Sequence, residues 1–326
     1  MIVLTGGAGF IGSNIAADLN GAGVTDIVIA DTLGVETKWR NIARRRFFDF
    51  IFPAEIEAFL GERDDVSAVI HMGANSSTTA RDGDEMIRSN FRLSTRLWNW
   101  CARKGVPLIY ASSAATYGGG EQGFGDDDSD AALDRLRPLN LYGWSKHAFD
   151  RWALEQARKG SAPPQWVGLK FFNVYGPNES HKGDMQSLVA KNTPLVAAGQ
   201  ALRLFKSHRL DVADGEQSRD FIYVRDCSAV VLWLLNNPGV SGLFNLGTGK
   251  ARSFKDLMLA VGAALGKTVA FDFVDTPAAL RDQYQYFTEA EMAKLRSAGY
   301  RAPFHSIEDG VRDYVRTYLT QADPYR

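Results

Sequence analysis

Tyr142 and Lys146 stand four residues apart in LYGWSKHAFD (141–150), a spacing that sets a phenol and an ammonium on one face of a helix. An adjacent cation favours the ionised phenol and brings it towards the pH at which it can both give and take a proton. The same pair occurs on many helix surfaces with nothing to catalyse, so its meaning depends on what it faces. Three other stretches offer companions. YASSAATYG (110–118) carries hydroxyls at Ser113 and Thr116 beyond an apolar run, and FFNVYGPNESHKGDM (171–185) brings a second amine, Lys182, beyond another. TGGAGFIG (5–12) satisfies G-x-G-x-x-G through Gly7, Gly9 and Gly12, and G-x-x-G-x-x-G through Gly6, Gly9 and Gly12.

The elements that must position these groups follow from the apolar pattern. Short apolar runs at 1–5, 26–31, 66–72, 106–113 and 166–174 read as buried strands, and helical spacing separates them at 10–19, 85–103 and 142–159. Such alternation predicts an α/β fold, a doubly wound parallel (Rossmann) sheet whose ligand crevice lies at the carboxyl ends of its strands. Each polar motif begins where a strand stops. We read 1–175 as the dinucleotide-binding domain and 176–326 as mainly a smaller carboxyl-terminal substrate lobe, some of whose segments return to the first domain. Further strands are expected at 219–224 and 242–247, with helices from 288 onward completing the lobe. GGGEQGFGDDDSD (118–130) lacks apolar period and reads as a mobile, solvated loop whose acids have no catalytic role.

The glycine motif follows a strand, opens a helix, and has Asp31 placed 19 residues beyond Gly12 at the end of the second strand. Glycines let backbone approach a pyrophosphate at the helix amino terminus, while an acid can accept from a ribose hydroxyl. The residues therefore predict a nicotinamide dinucleotide. They divide on which one: Asp31 repels a 2′-phosphate, whereas Lys38 and Arg40 attract it. A net charge of −1 offers no basic excess for nucleic acid or an anionic membrane, and no apolar run reaches the length of a membrane span. Cys101 and Cys227 lack C-x-x-C spacing and the five histidines lack ligand spacing, so no disulfide framework or metal site is expected. The amino terminus does not read as a signal peptide, and the chain reads as a cytoplasmic enzyme acting on small molecules.

TGGAGFIG, YASSAATYG and the Tyr142–Lys146 pair together resemble the extended short-chain dehydrogenase/reductases that act on nucleotide sugars, over nearly the whole chain. The resemblance implies that Ser113, or else Thr116, bonds the reacting oxygen, that Tyr142 transfers the proton, and that Lys146 holds the nicotinamide ribose and depresses the tyrosine pKa. Sugar 4,6-dehydratases of that family carry acids beside the threonine after the fourth strand, and here Ser113-Ala114-Ala115-Thr116 has none. The stretch 171–185, with GANSSTT (73–79), FNLGTG (244–249) and SAGYRAPF (297–304), is instead similar to the branch of ADP-glyceromanno-heptose 6-epimerases. That branch usually has a cysteine where Asn75 stands and often a lysine at Pro53.

The branch implies inversion of C6 in an ADP-heptose destined for lipopolysaccharide core, with Tyr142 and Lys182 as acid/base groups at two oxygen positions. A UDP-hexose 4-epimerase and a non-catalytic nucleotide sensor are the competing readings. The resemblance further implies tightly bound NADP, or else NAD, one per subunit of a homo-oligomer, a pentamer in the branch. Its cofactor contacts would come from Gly6, Gly9, Phe10, Ile11 and Gly12, from Asp31, Thr32 and Lys38, from Met72, Gly73, Ala74, Asn75 and Ser76, and from Asn90, Lys146, Val174 and Lys182. Substrate contacts would come from Ser113, Asn173, Asp184 and Lys191, from Phe205, Lys206, Ser207 and His208, and from Arg219 and Tyr284.

Overall fold

Strands buried on both faces need helices on both sides, and the amino-terminal half supplies them in alternation. In the computed structural model, which describes residues 1–277 and 285–326, β1 (Ile2–Thr5) is followed by α1 (Phe10–Gly21), β2 (Ile27–Ala30), β3 (Asp49–Ile51), α2 (Ile56–Gly61) and β4 (Ala68–His71). The chain continues through α3 (Gly83–Met86), α4 (Leu93–Lys104), β5 (Leu108–Ser113), α5 (Asp130–Leu133), α6 (Leu141–Arg158), β6 (Trp166–Phe171) and β7 (Asn173–Tyr175). The remainder comprises α7 (Leu188–Ala197), β8 (Leu202–Phe205), β9 (Ser218–Tyr223), α8 (Val224–Leu235), β10 (Gly242–Leu246), β11 (Ala251–Ser253), α9 (Phe254–Leu265) and β12 (Phe271–Val274), then helical turns at Ala293–Ser297, Ile307–Asp313 and Tyr314–Leu319.

Seven parallel strands form the main sheet in the order β10-β6-β5-β4-β1-β2-β3. This is the doubly wound arrangement expected from the sequence. Its order reverses between β1 and β4, which opens a crevice at their carboxyl ends where Thr5 lies in register with His71. One face is covered by an aromatic cluster in which Trp98 of α4, Phe149 and Trp152 of α6 and Trp166 of β6 pack edge to face, stacked or tilted. The other face packs α1 and α8 through Ile15, Leu19, Cys227 and Val231. A separate core, built from Val189, Tyr175, Tyr223, Val261 and Tyr314, holds the smaller sheet β11-β9-β7 and its helices.

Three expectations are corrected here. The run 166–174 is two strands in two sheets: Phe172, buried against Tyr117 and Phe124, donates its N–H to the Leu246 carbonyl and the chain then crosses to β9. The helices after residue 288 do not act together, because Leu295 joins the main-sheet core whereas Ile307, Val311 and Tyr314 join the smaller one. The segment 118–130 is not simply solvated. Phe124 and Asp126 are buried, and Asp126 accepts from the Asn245 N–H at 2.8 Å while the Phe124 carbonyl accepts from the Asn245 amide at 2.7 Å. Among the described residues, no helix is long and apolar enough to cross a membrane.

Candidate active site

The crevice at the switch point is a cavity of about 720 Å³ that reaches from the glycine loop to α6. At one end, α1 begins at Gly9, whose backbone is extended and which makes no side-chain cap, so the positive helix terminus is open to a ligand. The loop is folded tightly enough that its glycines are obligatory: a Cβ on Gly12 would lie 2.1 Å from the Gly6 carbonyl oxygen. An anionic group is what such a cradle accepts, and the residues present fit a dinucleotide pyrophosphate.

Asp31, placed at the end of β2, lines the same cavity but is already engaged. It accepts from the Ala8 N–H at 2.9 Å, from the Thr32 N–H at 2.7 Å and from the Lys38 ammonium at 2.6 Å. The opposed charges read from the sequence are thus one ion pair. Asn41 ties this end to the segment after β7, donating to the Ala8 carbonyl at 2.9 Å and bonding His181 Nδ1 at 3.0 Å. Burial, then Lys38 and Lys182, pull His181 down to about 4, so it is neutral at pH 7 and its Nδ1 can accept that bond.

The reacting set lies at the other end. Asn140 caps α6 by accepting from the Gly143 N–H at 2.8 Å, which starts the helix so that Tyr142 and Lys146 both face the cavity beside Ser113. Burial pushes the Tyr142 phenol above its ordinary value, and its hydrogen bond with Ser113 pulls it back. Lys146 is buried, donates to the Ala111 carbonyl at 2.7 Å, and is lowered by burial to about 8 against the opposing effect of Asp150. At about 8 Lys146 is still mostly an ammonium at pH 7, yet the Tyr142 phenol stands above its ordinary value, so burial outweighs the expected depression of the phenol by Lys146. Thr116 is fully buried, donating to the Ser113 carbonyl at 2.9 Å and accepting from Lys170 at 2.8 Å, which leaves Ser113 as the hydroxyl that faces the cavity.

A dinucleotide cradle in one crevice with a Ser, Tyr and Lys set is matched by comparison with known proteins. Residues 2–247 match the model of the NAD dependent epimerase/dehydratase family. The chain belongs to that family. It is 49% identical over 328 residues, covering the whole of both chains, to an ADP-L-glycero-D-manno-heptose-6-epimerase of Nitratidesulfovibrio vulgaris (strain DP4). A protein of the same name from Fusobacterium nucleatum subsp. nucleatum is 47% identical over 334 residues, again over the whole of both. The crystal structure of Helicobacter pylori ADP-L-glycero-D-manno-heptose-6-epimerase shares the fold, with a TM-score of 0.78 over 97% of this chain and 95% of that one at 24% identity.

In this epimerase/dehydratase-family chain the cavity also collects Phe10, Ile11, Met72, Gly73, Ala74, Asn75, Ser76, Asn173, Val174 and Lys182. The Lys182 ammonium sits 5.2 Å from the centre of the Phe10 ring, next to the glycine loop, and burial lowers it while Glu179 raises it. Asn90 does not line the cavity. It lies on a π-helical segment (Ile87–Arg92), a distortion frequent at functional sites, and is buried behind the loop. From there it accepts from the Asn75 N–H at 2.8 Å and donates to the Asn75 carbonyl at 2.9 Å and Ser145 Oγ at 3.0 Å. Thr32 is likewise outside, held on Asp31.

The expected substrate contacts of the smaller lobe are not brought to the cavity wall. Lys191 is exposed and donates to the Asp184 carbonyl, and Lys206 pairs with Asp275 at 3.2 Å. Ser207 donates its N–H to Asp214 at 2.7 Å, and His208 meets the Tyr286 hydroxyl at 2.8 Å. Phe205 ends β8 away from the cavity lining. Arg219 is buried, donates to the Ser218 and Gln285 carbonyls, and stacks 5.5 Å from Phe254, which does line the cavity. Tyr284 lies outside the described residues.

Sequence reasoning missed Asp150 and Lys170. Their ion pair, 2.7 Å long, is fully buried behind Ser113 and Lys146, and removing one partner of such a pair costs about 3–5 kcal/mol. Both left a signal, since Asp150 continues the Tyr142–Lys146 spacing by another four residues and Lys170 is a lone charge within the apolar run WVGLKFF. His181 and Asn41 were missed as well, and nothing in their local sequence announces the contact.

Proposed function

We propose that the chain inverts C6 of the heptose in ADP-D-glycero-D-manno-heptose to give the L-glycero epimer, using NADP held across the cavity. The observation that carries the reading is the single crevice that joins an uncapped, glycine-built helix terminus to the Ser113, Tyr142 and Lys146 set. The names of full-length relatives at 47–49% identity support the substrate.

The hydrogen on a C6 carbinol is not alpha to a carbonyl, so no side chain is basic enough to remove it as a proton. A nicotinamide supplies the alternative when bound, accepting a hydride and returning it, so that C6 passes through a ketone. The chain's own residues do the rest. Gly6, Gly9 and Gly12 with the start of α1 take the pyrophosphate, and Lys146 holds the ribose. Ser113 bonds the reacting oxygen while Tyr142 takes its proton and later gives it back. Lys182, which lines the same cavity, would serve the oxygen in its second position. NADP is favoured over NAD because Lys38 pairs with Asp31, which weakens the repulsion of a 2′-phosphate. The proposed division is 1–175 and mainly 176–326, with β10 and α8 returning to the first domain; the separate core of the smaller sheet supports it.

Proton NMR of the purified protein with ADP-D-glycero-D-manno-heptose, and separately with UDP-glucose, tests the assignment. Conversion of the ADP-heptose alone is expected, and turnover of UDP-glucose alone would overturn it. Mass spectrometry of the cofactor released on gentle denaturation decides between NADP and NAD.

A further inference from the structure

Behind the reacting set lies one carboxylate that gathers three elements. Asp150, fully buried on α6, accepts from Lys170 Nζ of β6 at 2.7 Å, from Ser112 Oγ of β5 at 2.7 Å and from the Tyr110 hydroxyl of β5 at 3.1 Å. Tyr110 and Ser112 flank Ala111, whose carbonyl holds the Lys146 ammonium. Lys170 also donates to Thr116, and Thr116 to the Ser113 carbonyl. Through Ser112 and Tyr110, which flank Ala111, and through Lys170 and Thr116, this carboxylate is linked to the strand end that carries both Ser113 and the acceptor of the Lys146 ammonium.

We propose that the Asp150–Lys170 pair is the positioning unit of the active site: it fixes α6 against β5 and β6, and Asp150, one turn beyond Lys146, is the buried anion that keeps Lys146 an ammonium. The inference rests on Lys146 acting as a cation, as in the reading above. Around Lys146 the other groups that bear on its charge are few. His71 on β4, hydrogen-bonded to Thr5 and Ser94 and pulled down to about 3 by burial and then by Lys146, is neutral at pH 7. Tyr142 and Asp150 lie on its own helix, and Lys170 reaches in from β6 already paired. Among the described residues Asp150 is the anion that opposes the burial of the ammonium, beside the Ala111 carbonyl that accepts from it.

Removing the carboxylate should let Lys146 lose its proton at lower pH. The test is kcat/KM against pH for the holoenzyme with ADP-heptose, in wild type, Asp150→Asn, Asp150→Glu and the double variant Asp150→Asn/Lys170→Met. The double variant leaves no uncompensated buried charge and serves where Asp150→Asn does not fold, since apolar replacement of a buried pair is often tolerated. The alkaline limb is expected about one pH unit or more lower in Asp150→Asn, lower by less in the double variant, where the Lys170 cation is lost with the anion, and at its wild-type position in Asp150→Glu, whatever the plateau rate. A limb unmoved in the asparagine variants, or moved equally in Asp150→Glu, would overturn the proposal, because a merely structural role changes the plateau without separating amide from carboxylate. An inactive wild type or a fully active Tyr142→Phe would defeat the functional reading instead, and NADPH affinity against pH in the same variants then decides the proposal, an alkaline loss of binding unmoved by Asp150→Asn overturning it.

Discussion

The two walls of the cavity are built differently. The β5–α6 wall is pinned before any ligand arrives: Lys146 bonds the Ala111 carbonyl at 2.7 Å, Thr116 bonds the Ser113 carbonyl at 2.9 Å, and Asp150 ties both to β6. The opposite wall, carrying Lys182, is a short 3-10 segment (Ser180–Met185) made of two pieces joined across a kink at Gly183, whose φ of 52° breaks the helical run. Its anchors lie at its ends and flank, where Glu179 accepts from the Ser187 N–H and Oγ at 2.6 Å each and His181 meets Asn41. Met185 is 41% exposed within the cavity lining. Preorganisation is thus concentrated where a proton must move at a fixed atom, and the wall that must meet a reorienting sugar has few internal bonds to break.

The largest effect is expected at the end both walls share. Gly12→Val would drive a side chain into the Gly6 carbonyl, so purified protein should contain no dinucleotide; cofactor retained at wild-type stoichiometry would remove the cradle from the account. On the pinned wall, Tyr142→Phe deletes one oxygen and should cut kcat by about 10² to 10⁴-fold with the cofactor still bound, as measured by steady-state turnover. On the less tethered wall, Lys182→Ala should keep NADP and ADP-heptose binding and lower kcat by about 10²-fold. A Lys182→Ala enzyme of wild-type rate would make the comparison one of structure only, with all proton transfer on β5 and α6.

The smallest effect is one of pH. His71, His147 and His181 are held at about 3, 4 and 4, each mainly by burial, against an ordinary value of 6.5. Between those values the unfolded chain binds protons that the folded one refuses, so stability falls as pH drops below 6.5 and is unaffected by these groups above it. Denaturant titrations from pH 7 to pH 4 should show that decline, and His71→Gln should reduce its slope. A flat profile would mean that these histidines are not buried as neutral rings.

How much was legible in the sequence depended on distance along the chain. The glycine loop, the Ser113 hydroxyl and the Tyr142–Lys146 pair are local features, each set by one strand end or one helix face, and they meet in one cavity because parallel strands all deliver their carboxyl ends to the same edge. Partners made by distant segments were not legible. A lone lysine in an apolar run, Lys170, shows that a buried charge must be paired but not with what. Asp126 reads as solvent-facing within a Gly- and Asp-rich stretch and is instead recruited by Asn245, 119 residues away. Apolar periodicity likewise could not show that the run through Phe172 changes sheets, since both halves are strand. The lobe residues Lys191, Ser207 and His208 follow from resemblance alone, and the structure gives them surface partners.

In the proposed reaction the C6 hydrogen leaves and returns within one crevice without becoming a proton, while Tyr142 handles only the oxygen. Incubating the holoenzyme with ADP-D-glycero-D-manno-heptose deuterated at C6, in ordinary water, and following both epimers by NMR distinguishes this from proton abstraction. The L-glycero product is expected to keep the deuterium at C6, with no deuterium released to solvent. Product formed with loss of the label to water would contradict it, because that outcome requires proton abstraction from carbon.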